Sequence, residues 1–209
     1  SVDLRREEMM AVAIPRRKQD DLMFHEDEFI RPNTSLDALA KLRPAFKREG
    51  GSVTAGNSSG LNDGACALLY ASENGLKQHG LEPLTEVISS SVVGVEPRIM
   101  GIGPVKASEL ALARAGLSMD DMELIELNEA FAAQALSCTR SWGLEDNDPR
   151  LNPQGGAIAL GHPLGMTGAR LLLTASKQLV RNRKRYALVT LCIGVGQGYA
   201  TILKNAQLP

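Results

Sequence analysis

From Thr85 onward the sequence predicts a layered α/β domain built on a mixed sheet. Strand-like and helix-like runs alternate there, and the last two strand-like runs, Tyr186-Ala-Leu-Val-Thr-Leu-Cys192 and Tyr199-Ala-Thr-Ile-Leu203, are separated only by a glycine-rich turn. So short a connection requires antiparallel neighbours, whereas strand-helix alternation argues for layers rather than a barrel.

The first fifty residues stand apart. They are rich in charge, with Arg16-Arg-Lys18 and Glu26-Asp-Glu28, and lack sustained periodicity, which predicts a surface-hugging segment. Thr34-Ser-Leu-Asp37 resembles a capping box and starts a short helix that Pro44 limits. Ser52-Val-Thr-Ala55 reads as a short strand and Gly56-Asn-Ser-Ser-Gly60 as a turn. A helix is then expected, capped by Asn62 or Asp63, with Ala65, Leu68, Leu69 and Leu76 at helical spacing and Gly80 as its stop.

Glu86-Val-Ile-Ser-Ser-Ser-Val-Val-Gly94 is β-branched and serine-rich, and Gly101-Ile-Gly-Pro104 turns the chain into a helix from Val105 to Ala115 that Gly116 ends. Glu123-Leu-Ile-Glu-Leu127 is a second strand, with Asn128 placed as cap of an alanine-rich helix from Glu129 to Ser141. A third helix spans Thr167 to Leu179. No internal repeat or low-complexity tract interrupts this order.

Composition excludes several functions. The chain has 209 residues, 44% hydrophobic and 22% charged, and Lys+Arg 23 against Asp+Glu 24 leaves a net charge of -1. No overall field favours nucleic acid or an acidic membrane. The apolar runs are far shorter than the roughly 20 residues that span a bilayer, so no membrane association is expected. Three widely spaced cysteines, Cys66, Cys138 and Cys192, suit a reducing compartment better than a disulfide framework, and the expected location is the cytoplasm. His25, His79 and His162 are too scattered for a local zinc motif, so no metal is expected. The start, Ser1-Val-Asp-Leu-Arg-Arg-Glu-Glu, lacks a methionine and a signal pattern and reads as a cut into a longer chain.

Two glycine-flanked segments hold the reactive groups. In Gly155-Gly-Ala-Ile-Ala-Leu-Gly-His-Pro-Leu-Gly165 the glycines admit close backbone approach, and His162 can take or give a proton near neutral pH. Cys192 ends a strand and precedes Gly194, Gly196 and Gly198, whose backbone NH groups could hold an oxyanion. Each has a plain alternative: a histidine in a turn, and a buried inert thiol. Gly194-Val-Gly196-Gln-Gly198 also mimics a nucleotide loop, but its spacing is wrong and no helix follows.

Taken with Asn128-Glu-Ala-Phe131, these two segments resemble three thiolase motifs in their order along the chain. Glu28-Phe-Ile-Arg31, Lys41-Leu-Arg-Pro-Ala-Phe46 and Val53-Thr-Ala-Gly-Asn-Ser-Ser-Gly-Leu-Asn-Asp-Gly-Ala65 extend the likeness over nearly the whole chain. The resemblance implies a coenzyme A-dependent acyltransferase that cleaves or forms 3-oxoacyl-CoA, with a layered α-β-α half carrying a mixed sheet, preceded by part of a CoA-binding loop region. By the same likeness His162 is the base that activates a nucleophilic cysteine. With Asn128, through a water, it also holds the thioester oxygen. Cys192 moves the α-proton, and the Gly194 NH belongs to a second oxyanion hole. Ser59 then contacts the pantetheine arm, Phe46, Met100 and Phe131 are apolar walls, and Arg31 lies near the adenine, where a guanidinium can stack and attract phosphate. CoA and acyl-CoA enter as substrates, no cofactor is tightly bound, and the intact protein is a homodimer or homotetramer. The motif details lean toward 3-oxoadipyl-CoA and other degradative thiolases.

Thiolases are about twice this length, and neither Cys66 nor Cys138 has the setting of the family's nucleophile. The resemblance therefore divides the chain into residues 1–60 as a remnant of the CoA-binding loop region, 61–82 as a helix belonging with a missing amino-terminal half, and 83–209 as the C-terminal domain. The chain alone is then expected to be inactive. Two other readings are a stand-alone fragment that binds acyl-CoA or a partner without catalysis, and a ketoacyl synthase. The latter is disfavoured because those enzymes typically pair two histidines, where this chain pairs His162 with Cys192.

Overall fold

A computed structural model describes residues 6–209. The start of the chain, Ser1 to Arg5, where the sequence reads as a cut, lies outside the described residues. A four-stranded mixed sheet forms the body: β3 (Thr85–Gly94), β4 (Leu124–Leu127), β5 (Tyr186–Ile193) and β6 (Gln197–Asn205), in spatial order β3-β6-β5-β4. β6 runs antiparallel to both β3 and β5, and β4 runs parallel to β5. The antiparallel β5–β6 pair follows from the short turn between them, and the expected mixed sheet is present.

Helices cover both faces. On one, Ala107, Ala111 and Leu112 of α3 (Gly103–Ala115) and Ala135 and Cys138 of α4 (Ala132–Ser141) pack on Ile125, Leu127, Leu188, Ala200 and Ile202. On the other, Leu171, Ala175 and Leu179 of α6 (Thr167–Arg181) pack on Leu124, Ala187, Val189 and Leu203. Alternate residues of β4 and β5 thus supply opposite cores, as the two-residue period of a strand requires. Where β6 passes the start of α3 the backbones nearly touch: a side chain on Gly198 would collide with the carbonyl of Gly103. Among the described residues no helix is long and apolar enough to cross a membrane.

The amino-terminal third departs from its expected pattern in three places. Val12–Ile14 (β1) and Leu22–Phe24 (β2) form an antiparallel hairpin where no strands are expected; every residue of both is exposed, so neither shows a buried face. Ser52–Ala55 is not a strand, and only Thr54 bridges to Pro44. The helix expected over 61–82 is confined to α2 (Glu73–His79), capped by Ser72 and stopped by Gly80 in the left-handed conformation, while 62–72 is irregular. Leu69 is 81% exposed, Ala65 is exposed and Leu68 only half-buried, so the apolar stripe that suggests a helix is not covered by any face of the chain. Helices of this length depend on that packing. Upstream, α1 (Leu36–Ala40) forms as expected, but its cap is Ser35, which accepts the Ala38 NH, while the Thr34 hydroxyl donates to the Arg31 carbonyl.

Candidate active site

Asn128 follows β4 directly. Its NH continues the ladder to the Thr190 carbonyl at 3.0 Å. The expected role as a helix cap is not what the structure shows: α4 begins at Ala132, and no side chain caps it. Asn128 is instead fully buried, with Nδ2 3.3 Å from Nε2 of His162 and Oδ1 without a partner. A buried amide oxygen left open is costly unless a ligand or water meets it.

His162 stands after the single turn α5 (Ala157–Leu160), in the glycine loop. Its NH is held by the Gly60 carbonyl and Asn62 Oδ1, both at 3.1 Å. Gly161, at φ 100°, leaves room for the Asn62 amide, which a side chain there would strike. On the far side of the ring, Nδ1 lies 2.7 Å from Thr167 Oγ1. Burial, and secondarily the Arg170 charge, hold the imidazole below its ordinary pKa, so His162 is neutral at neutral pH and available as a base.

A buried bracket joins the Asn128 and His162 loops. Asn152 accepts from the Leu127 NH and donates to the Leu127 carbonyl, both at 2.9 Å, and donates to Glu129 Oε1 at 2.8 Å. Glu129 Oε2 accepts the Ile158 NH at 3.2 Å, at the start of α5. Sequence reasoning missed Asn62, Glu129, Asn152 and Thr167 as site residues. Asn62 and Thr167 stand at expected helix starts, where a polar residue needs no further reason, and Asn152 lies in a loop.

Cys192 is the penultimate residue of β5 and is 7% exposed. By strand alternation it falls on the face covered by α4, near Cys138, and among the described residues it hydrogen-bonds neither His162 nor Asn128. Burial pushes its thiol pKa up, which keeps it protonated at neutral pH. Cys138 is pushed up to about 12 by burial, and its thiol meets the Gly101 carbonyl at 3.3 Å. Gly194 is open, with no atom close to where a side chain would start. The turn beyond it holds Val195 at φ 69°, an unfavourable conformation for a β-branched residue.

The residues expected at the coenzyme partly converge. The Phe46 ring meets the Phe131 ring edge-on, with centroids 6.1 Å apart, and Phe46 stays 77% exposed. Ser59 bonds the Ala130 carbonyl through its NH at 3.0 Å and its hydroxyl at 3.2 Å, and Ser58 bridges to Phe131. Arg31 is exposed, two residues from Phe29, whose ring abuts Gly60. Met100 lies in a 3₁₀ turn (Pro97–Ile102) whose Gly101 packs against Gln134 and Cys138 of α4.

The sequence and the fold match known proteins. Residues 4–74 match the family model "Thiolase, N-terminal domain", and residues 81–205 match "Thiolase, C-terminal domain". The chain is 54% identical over 198 residues to a beta-ketoadipyl-CoA thiolase of Acinetobacter baylyi, covering 95% of this chain and 49% of that protein. It is likewise 54% identical over 199 residues to the 3-oxoadipyl-CoA/3-oxo-5,6-dehydrosuberyl-CoA thiolase of Escherichia coli, covering 95% and 49%. Among solved structures, the Bacillus anthracis acetyl-CoA acetyltransferase superposes with a TM-score of 0.89 at 40% identity, covering 94% of this chain and 49% of that one. Human mitochondrial 3-ketoacyl-CoA thiolase in complex with CoA superposes at 0.80 with 44% identity, covering 88% and 46%. The chain spans about half the length of the curated relatives it matches. With both domain models matched along its length, the chain belongs to the thiolase family.

Proposed function

We propose that this chain supplies the base and one oxyanion site of a degradative thiolase, which cleaves a 3-oxoacyl-CoA with CoA or runs the reverse Claisen condensation. The observation that carries the reading is the buried Asn128 amide against His162 Nε2 with its own oxygen unpartnered, which leaves a polar socket beside a neutral base. Residues 1–60 act as part of the coenzyme-binding loops, 61–82 pack with the other half of the enzyme, and 83–209 form the catalytic C-terminal domain.

In the degradative direction, a cysteine thiolate outside these 209 residues attacks the C3 carbonyl after His162 takes its proton. The C2–C3 bond then breaks, leaving the acyl group on that sulfur and an acetyl-CoA enolate. The enolate oxygen is held by His162 and, through a water, by Asn128, while Cys192 gives its proton to C2. A thiol kept protonated by burial suits that donation. CoA then gives its thiol proton to the Cys192 thiolate and its sulfur takes the acyl group, the departing cysteine recovering its proton from His162, with the Gly194 NH on the tetrahedral oxygen. Phe46 and Phe131, whose rings meet, and Met100 offer apolar walls, Ser59 contacts the pantetheine arm, and Arg31 meets the adenine end. The names of the relatives support a dicarboxylic acyl-CoA such as 3-oxoadipyl-CoA as substrate. No tightly bound cofactor, a homo-oligomeric assembly and a cytoplasmic location complete the proposal.

The test joins this chain to the amino-terminal half of a relative and follows CoA-dependent loss of 3-oxoadipyl-CoA. Turnover is expected, and His162→Ala or Cys192→Ala lowers kcat by about 10²- to 10⁴-fold, the range for a lost acid or base. A folded complex that binds CoA without turnover, or retains turnover without His162, overturns the reading.

A further inference from the structure

Thr167 opens α6 and is 1% exposed, yet its hydroxyl oxygen touches two groups at once. It lies 2.7 Å from His162 Nδ1 and 2.9 Å from the Pro163 carbonyl oxygen. A hydroxyl has one proton and two lone pairs. Two oxygens held that close repel unless a proton lies between them, so the Thr167 proton is committed to Pro163. What faces the imidazole is a lone pair, and Nδ1 must donate to it.

A neutral imidazole carries one ring proton, so Nε2 is then bare, and it faces the Asn128 amide at 3.3 Å, which donates. Every contact is satisfied in this arrangement. The other tautomer pulls the hydroxyl proton away from Pro163 and needs the Asn128 amide reversed to accept from Nε2. The Pro163 carbonyl also receives the Met166 and Thr167 NH groups, both at 2.9 Å, which pins the hydroxyl at the helix start.

We propose that Thr167 is a positioning residue that fixes His162 as the Nδ1–H tautomer and so leaves Nε2 as the basic nitrogen. This rests on the reading of His162 as the base and adds the group that selects its working nitrogen. A base needs its lone pair on the nitrogen beside Asn128. Once Nε2 has taken a proton it becomes a hydrogen-bond donor to the substrate oxygen, while Nδ1–H stays on Thr167. One ring orientation therefore serves both steps without rotation.

Long-range nitrogen–proton correlation spectra of the 209-residue chain, recorded well above the ordinary histidine titration range, read the tautomer without any activity. Loss of one signal set in His162→Gln identifies His162 among the three histidines. A protonated Nδ1 and a bare Nε2 are expected; a protonated Nε2 in the unsubstituted chain overturns the proposal even if no Thr167 variant folds. Thr167→Ser keeps the pattern, and Thr167→Val shifts it toward Nε2–H. In the joined enzyme, Thr167→Val lowers kcat by about 10- to 100-fold with little change in KM, the scale for losing an outer partner of a functional histidine, and Thr167→Ser restores most of it. Unchanged kcat and an unchanged spectrum in Thr167→Val also overturn the proposal. The expected spectra without turnover in any joined form uphold the tautomer and sink the reading of His162 as the base.

Discussion

His162 shows how one side chain's surroundings set its chemistry. Burial penalises the imidazolium first, and the Arg170 guanidinium adds a like charge, so the folded pKa falls below the ordinary value of about 6.5. Above that value the ring is neutral in both folded and unfolded chains. As the pH falls through it, the unfolded chain binds the proton first, so the stability from His162 is present above the ordinary value and is lost as the pH falls through the folded one. The same shift keeps the base deprotonated in mildly acidic solution. Imidazole chemical shifts followed against pH are expected to give His162 a midpoint below about 6.5, and the acid limb of kcat/KM in the joined enzyme follows it. A midpoint at or above that value means that neither burial nor Arg170 acts on the ring as its position implies.

At the scale of elements, the site is a set of loop crossings held by buried amides. Asn152 is the tightest of these: 8% exposed and at φ 40°, it brackets the end of β4 and anchors Glu129, which in turn receives the first turn of α5. Asn152→Ala removes three hydrogen bonds and strands buried groups, at a cost of about 2–4 kcal/mol. Urea unfolding should show a lower midpoint with an unchanged slope; a loss under about 0.5 kcal/mol means water replaces the amide. Such brackets are invisible in a linear reading, because an asparagine in a loop has too many ordinary explanations. The sheet was legible for the opposite reason: β5 is an apolar run of strand length buried on both faces, α6 buries one periodic face, turn signals bound them, and Gly116 closes α3 as expected. His162 stood out by its glycine-rich loop, Asn128 only as part of a family pattern, and the contact between them is what the structure adds. Thr167 was hidden because a threonine that begins a helix needs no further reason.

For the molecule as a whole, the misread stretch at 61–72 is the informative one. Ala65, Leu68 and Leu69 recur at helical spacing, yet Ala65 is exposed and Leu69 is 81% exposed, and the chain from 62 is irregular until Ser72 caps α2. A sequence that encodes an apolar stripe without a surface to bury it gains little from the helix. On the proposed reading, that surface belongs to the other half of a thiolase, and the stripe closes onto it when the halves join. Amide hydrogen exchange decides this. In the 209-residue chain alone, residues 61–72 should exchange near the unprotected rate, while α6 and β5, buried in their cores, exchange slowly. Joined to the amino-terminal half of a relative, the same stretch should slow by at least about 10-fold, which corresponds to roughly 1.4 kcal/mol of local stability. Protection of 61–72 equal to that of α6 in the chain alone would show the stripe already buried, and equal exchange in both forms would show that the other half does not cover it.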